Sequence, residues 1–150
     1  MNPRLSHANI RVVDIQRSLE FYGALGLEVV GCAVLSPTYV IVYVGSPDQA
    51  DVTLELVVNE GAGPEFDRTP GSGHVAFTVD DLEIALAQLA DIGYSAEALP
   101  SHPADREDLP LVAFVRDPDG VRVELIERSF PTPSDDLPDW IVPPRREPSS

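Results

Sequence analysis

Gly73-His74-Val75-Ala76-Phe77-Thr78-Val79-Asp80-Asp81-Leu82 decides the fold, because it occurs twice. Laid under His7-Ala8-Asn9-Ile10-Arg11-Val12-Val13-Asp14-Ile15, it sets His74 on His7, Val79 on Val12, Asp81 on Asp14 and Leu82 on Ile15, at an offset of 67 residues. The match continues downstream. Ile15, Leu19, Tyr22 and Leu25 have the spacing of Leu82, Leu86, Leu89 and Ile92, and a glycine follows each set, Gly26 and Gly93. Further on, Leu54-Glu55-Leu56 answers Val123-Glu124-Leu125. A fixed-offset repeat means one supersecondary unit used twice.

Each copy reads βαβββ. In the first, residues 5–12 alternate as a strand, Asp14 caps a helix over 15–25, and strands follow at 27–35, 39–45 and 52–59. In the second, strand 73–79 and helix 81–92 are followed by a strand at 94–99 and a polar loop at 100–110. Strands 111–116 and 121–126 close it, joined by the turn Asp117-Pro118-Asp119-Gly120. The expected class is therefore α+β, with tandem βαβββ modules at 1–59 and 73–129. A Gly- and Pro-rich linker occupies 60–72 and a Pro-rich tail 130–150. Within that tail Trp140-Ile141-Val142 is an apolar triplet that wants a surface, on the body or on a partner chain.

A chain of 150 residues suffices for one domain or two small halves. No apolar run approaches the roughly 20 residues that span a bilayer. The first ten residues contain no signal-peptide core, so a cytoplasmic location is expected. The net charge of −15 argues against nucleic acid, which is bound through Lys and Arg, and against an anionic membrane surface. Cys32, the single cysteine, lies in an apolar run and reads as a small buried hydrophobe.

Strand parity then isolates the chemistry. With Ala8, Ile10 and Val12 packed under the first helix, His7, Asn9 and Arg11 face the other way; with Leu54, Leu56 and Val58 packed, Glu55, Val57 and Asn59 do. The second copy likewise turns His74, Ala76 and Thr78, and Arg122 and Glu124, away from its helix. Each copy thus offers one imidazole and one carboxylate on the same face. A histidine alone on a strand is usually a satisfied core residue, and an inward Glu often pairs with Arg, for which Arg11 and Arg122 are available. Four such positions at matching places in the two copies favour a His2Glu2 set for a borderline divalent ion such as Zn, Ni, Co or Fe(II).

Residues from about 4 to 128 resemble the vicinal oxygen chelate superfamily and, within it, the bacterial glyoxalase I (lactoylglutathione lyase) family. The resemblance is carried by His7-x-x-Ile10-Arg11-Val12-x-Asp14-Ile15-x-Arg17-Ser18-x-x-Phe21-Tyr22, by Leu54-Glu55-Leu56 with Asn59, by Gly73-His74-Val75-Ala76-Phe77 and by Ala113-Phe114-Val115-x-Asp117-Pro118-Asp119-Gly120-x-x-x-Glu124-Leu125-Ile126-Glu127. It implies a divalent metal (Ni, Zn or Co) on His7, Glu55, His74 and Glu124, and a low-molecular-weight thiol, glutathione or another, as cosubstrate. Arg11 and Asn59 would contact the thiol's carboxylate. The reaction implied converts the hemithioacetal of a 2-oxoaldehyde such as methylglyoxal to a 2-hydroxyacyl thioester by enediolate proton transfer, with Glu124 as base and Glu55 on the opposite face. The resemblance also implies a homodimer, with His7 and Glu55 of one chain meeting His74 and Glu124 of the other. The chain departs from the family at 101–109, where Arg106 stands among acids in place of a basic, Gly-rich stretch. Three other readings remain: an acyl-CoA epimerase of the methylmalonyl-CoA type, although those have Gln at the position of Glu55; a metal-free binding protein of the bleomycin-resistance kind; and an extradiol dioxygenase.

Overall fold

Two aspartates start the two helices. In the computed structural model, which describes residues 1–46, 48–49, 52–61, 63, 69–71, 73–127 and 135–143, Asp14 and Asp81 are both extended. The Asp14 carboxylate accepts from the N–H of Arg17 at 3.1 Å, and that of Asp81 from Ile84 at 2.9 Å. Each satisfies an orphan donor at the positive end of a helix dipole. Helix α1 then runs Ile15–Ala24 and α2 Leu82–Asp91. Both end ahead of a left-handed glycine, Gly26 (φ +93°) and Gly93 (φ +98°). The strands are β1 (Arg4–Arg11), β2 (Glu28–Ser36), β3 (Tyr39–Gly45), β4 (Thr53–Asn59), β5 (Gly73–Val79), β6 (Val112–Arg116) and β7 (Arg122–Glu127), so the chain is α+β.

The chain forms two compact units, one of Met1–Asn9 with Gly73–Pro131 and one of Ile10–Ser72 with Thr132–Ser150. Strand β1 begins in the first and ends in the second. In the first unit the strand order is β1-β5-β7-β6, with β5 parallel and β6 antiparallel to β7. Helix α2 packs on one face through Val79, Leu82, Ala85, Ala113 and Leu125. On the other face Ala76, Val112 and Ile126 pack together with Phe114 beside them. Residues 94–99 do not form the expected strand. They run beside β6 with one ladder-like bond, Glu97 N–H to Phe114 C=O at 2.8 Å. The segment Tyr94-Ser95-Ala96-Glu97-Ala98-Leu99 is short of β-branched residues and ends at Pro100, and Leu99 is 88 % exposed, so it has little to bury by pairing.

In the second unit β2, β3 and β4 pair antiparallel, and the chain leaving β1 joins β4 through Val12 N–H to Val57 C=O at 3.0 Å. Helix α1 covers Val40, Val42, Val44, Leu56 and Val58 with Ile15 and Leu19. The tail docks here. Ile141 is 3 % exposed in that same core, with Leu137 packed against it. The Gln16 side chain donates to Val142 C=O at 2.6 Å and accepts from Val142 N–H at 3.0 Å. The Cys32 thiol donates to Asp135 C=O at 3.1 Å, and burial, with the charges of Asp135 and Asp136, pushes its pKa up. That leaves it a buried, poorly nucleophilic thiol, in keeping with its reading as a core residue. Most of the linker at 60–72, and the tail outside 135–143, lie outside the described residues. No helix among the described residues is long and apolar enough to cross a membrane.

Candidate metal centre

Gly73 sets the geometry of the first unit. A Cβ there would collide with the backbone carbonyl of Asn9, so only glycine lets β5 approach β1 at this point. Adjacent strands then bring His7 of β1 and His74 of β5 together. In the parallel register Ala76 lies opposite Glu124, so the carboxylate of β7 emerges beside them.

The three side chains converge on one point. The Nε2 atoms of His7 and His74 are 3.2 Å apart, and Glu124 Oε2 lies 3.1 Å from the first and 2.9 Å from the second. A cation held at the usual ligand distance of about 2.1 Å needs neighbouring donors roughly 3.0 Å apart if octahedral and roughly 3.4 Å if tetrahedral. The triangle fits one face of an octahedron closely and an edge-shortened tetrahedron less well. Two imidazole nitrogens and one carboxylate oxygen are the donor set of a borderline divalent metal. His7 is 2 % exposed and Glu124 6 %, so the donors lie out of bulk water.

The electrostatics suit the same role. Burial raises the Glu124 pKa, but hydrogen bonds from His7 and His74, with their charges, outweigh it and hold the carboxyl down at about 2. Glu124 is therefore ionised at neutral pH. His7 Nδ1 lies 3.2 Å from Ser6 Oγ. With a metal on Nε2, Nδ1 would carry the proton and donate to that hydroxyl. His74 Nδ1 is buried with no hydrogen-bond partner among the described residues.

Glu55 lies in the second unit, on β4 opposite Tyr43, 3 % exposed and on the face turned away from Leu54, Leu56 and Val58. Arg11 and Asn59 also belong to the second unit and line one cavity of about 210 Å³ together with Val57 and Glu60. His7 meets His74 and Glu124 within this chain, because the start of β1 is a strand of the same unit as β5 and β7. Arg122 does not neutralise Glu124. Its guanidinium donates to Glu97 at 2.9 and 3.1 Å and lies 3.7 Å over the Phe114 ring, while Arg116 also reaches Glu97, at 3.1 Å. Parity could not reveal Glu97, which sits in irregular chain. In the 101–109 loop Arg106 bonds Asp108, Nε to Oδ1 at 3.0 Å, and Ala104 and Asp105 hold left-handed backbone (φ +51° and +56°).

The family follows from comparison with known proteins. The model of the Glyoxalase/Bleomycin resistance protein/Dioxygenase superfamily matches residues 4–125, and the chain belongs to that superfamily. It is similar to the lactoylglutathione lyase of Salmonella typhimurium, 34 % identical over 130 residues that cover 83 % of this chain and 92 % of that one. Among solved structures it is similar to a hypothetical protein from Bacillus halodurans C-125, with a TM-score of 0.69 at 23 % identity over 85 % of this chain and 96 % of that one. It is also similar to methylmalonyl-CoA epimerase from Mycobacterium tuberculosis, with a TM-score of 0.66 at 22 % identity over 82 % and 86 %. At these identities the structural likenesses establish the fold.

Proposed function

We propose that the chain is a metal-dependent lyase of the glyoxalase I type, converting the hemithioacetal of a 2-oxoaldehyde and a small thiol to a 2-hydroxyacyl thioester. The observation that carries this reading is the 2.9–3.2 Å triangle of His7, His74 and Glu124. The 34 % identity to a lactoylglutathione lyase supports it. His7, His74 and Glu124 would hold a divalent ion such as Ni, Zn or Co, with Glu55 as the fourth donor that the repeat supplies. When bound, the ion supplies Lewis-acid stabilisation of the negative charge that develops on the substrate oxygens. The reaction is an isomerisation: a proton leaves C1 and one is delivered to C2, with no net oxidation. Glu124 is the base, ionised at neutral pH and shielded from bulk water, and Glu55 serves the opposite face of the substrate. Arg11 and Asn59 grip the thiol's carboxylate and orient the hemithioacetal.

The test is a lyase assay on methylglyoxal with glutathione and alternative thiols, run beside methylmalonyl-CoA epimerisation. Chelator-treated protein should lose activity and regain it with Ni, Co or Zn. Glu124→Gln should retain metal, more weakly held, while kcat falls by about 10²–10⁴. Full turnover in metal-free protein, or in fully metallated Glu124→Gln, would refute the reading.

A further inference from the structure

Histidines that ligate metals almost always anchor their second ring nitrogen by a hydrogen bond, which fixes the ring's angle. His7 has such an anchor in Ser6. His74 has none: its Nδ1 is buried without a hydrogen-bond partner among the described residues. What the His74 ring does have is an aromatic wall. The Phe114 ring stands edge-to-face against it, centroids 5.3 Å apart at 79°. Phe114 is in turn capped by the Arg122 guanidinium, 3.7 Å over its ring, and Arg122 is pinned by hydrogen bonds to both carboxylate oxygens of Glu97.

We infer that Phe114, backed by Arg122 and Glu97, is a positioning residue that sets the His74 ring for metal ligation in place of the missing hydrogen bond. The inference rests on the metal reading of His7, His74 and Glu124. The layers follow from register. Phe114 lies opposite Glu124 on the β6–β7 ladder, so its ring emerges on the ligand face beside His74. Arg122 precedes Glu124 by two residues and shares that face. An edge-to-face aromatic contact restrains a ring without accepting a particular hydrogen bond. A cation over the ring is attracted to it and limits its freedom. Removing the wall leaves His74 free to tilt, and a tilted imidazole aims its Nε2 lone pair off the metal.

The test reads metal binding directly. Full-length, chelator-treated protein is titrated with Co(II) against a competing chelating dye, and the visible Co(II) bands are recorded. Phe114→Leu should weaken Co(II) binding by about tenfold and shift the bands. Phe114→Tyr, which keeps the ring, should stay close to wild type. Arg122→Gln should lose about threefold. Val79→Ala, in the core under α2, is a control that should lower thermal stability but leave affinity and spectrum alone. Wild-type protein that binds no Co(II) removes the metal reading, and this inference with it. Wild-type protein that binds, with Phe114→Leu equal to it in affinity and spectrum, overturns this inference alone. Should circular dichroism show that Phe114→Leu does not fold, Arg122→Gln decides: a loss supports the positioning role and unchanged affinity overturns it.

Discussion

Gly73 has no room for a side chain, and the residue next to it is a ligand. A methyl group there meets the Asn9 carbonyl, so Gly73→Ala must push β1 off β5 or bend one of them. Either movement separates His7 from His74. The expected outcome is a stability loss of about 1–3 kcal/mol, typical of overpacking, together with weaker metal binding. Urea unfolding and a metal titration measure the two, and wild-type values in both would show that the strands tolerate the methyl group. At this scale much of the candidate site was legible in the sequence. The side-chain period of a strand is two, so once one face is assigned to the core the other is fixed. That placed His7, His74 and Glu124 on one face, and the fold brings their donor atoms within 3.2 Å. The Phe114–Arg122–Glu97 stack was not legible. It depends on which residue of an irregular segment reaches a strand side chain, and no periodicity encodes that.

The elements were legible where local chemistry was strong. Asp14 and Asp81 cap their helices, and Gly26 and Gly93 follow their ends, because capping is decided within a turn. The expected strand at 94–99, which does not form, shows the limit, since the repeat called for it but its own residues lacked the side chains to hold it. The tail shows the opposite case. Proline-rich chain without periodicity looked unattached apart from the triplet at 140–142, and Ile141 of that triplet completes the core under α1. Ile141→Ala should therefore cost about 2–4 kcal/mol of stability, as for other buried Ile to Ala changes, whereas Trp140→Ala, at a half-exposed position, should cost less. Equal melting temperatures for Ile141→Ala and wild type would mean the tail is not part of the core. Glu97 links irregular chain to two strands and carries a pH signature. Hydrogen bonding from Arg122, opposed by some burial and aided by the charges of Arg122 and Arg116, holds its carboxyl below the ordinary 4.5. A depressed folded-state value contributes stability that is present above 4.5 and lost as pH falls through the folded value. Glu97→Gln should thus lower stability by about 1 kcal/mol at neutral pH, and the gap should close well below the carboxylate range. Unfolding curves at the two pH values check this; a constant gap would mean the loss is packing, not charge.

For the molecule as a whole, the number of chains that build one site decides how variants complement one another. The repeat divides the sequence at its linker, but contacts draw Met1–Asn9 into the unit of the second copy. That short stretch carries His7, and it makes the His7–His74–Glu124 triangle intrachain. A site shared between two chains and a site within one make opposite predictions for a mixture of two inactive variants. Suppose His7→Ala and Glu124→Ala chains are mixed and allowed to exchange subunits. In a shared-site dimer, one site collects both lesions and the other is intact, so activity returns. With the triangle inside one chain, every chain carries a lesion in its own site, and the mixture stays inactive whether or not the chains pair. The expected outcome is no recovery, measured as lyase activity after subunit exchange has been verified with differently tagged chains. Recovery toward half of the wild-type rate per exchanged dimer would show that the start of β1 crosses to a partner, in which case His7 would complete the other chain's site.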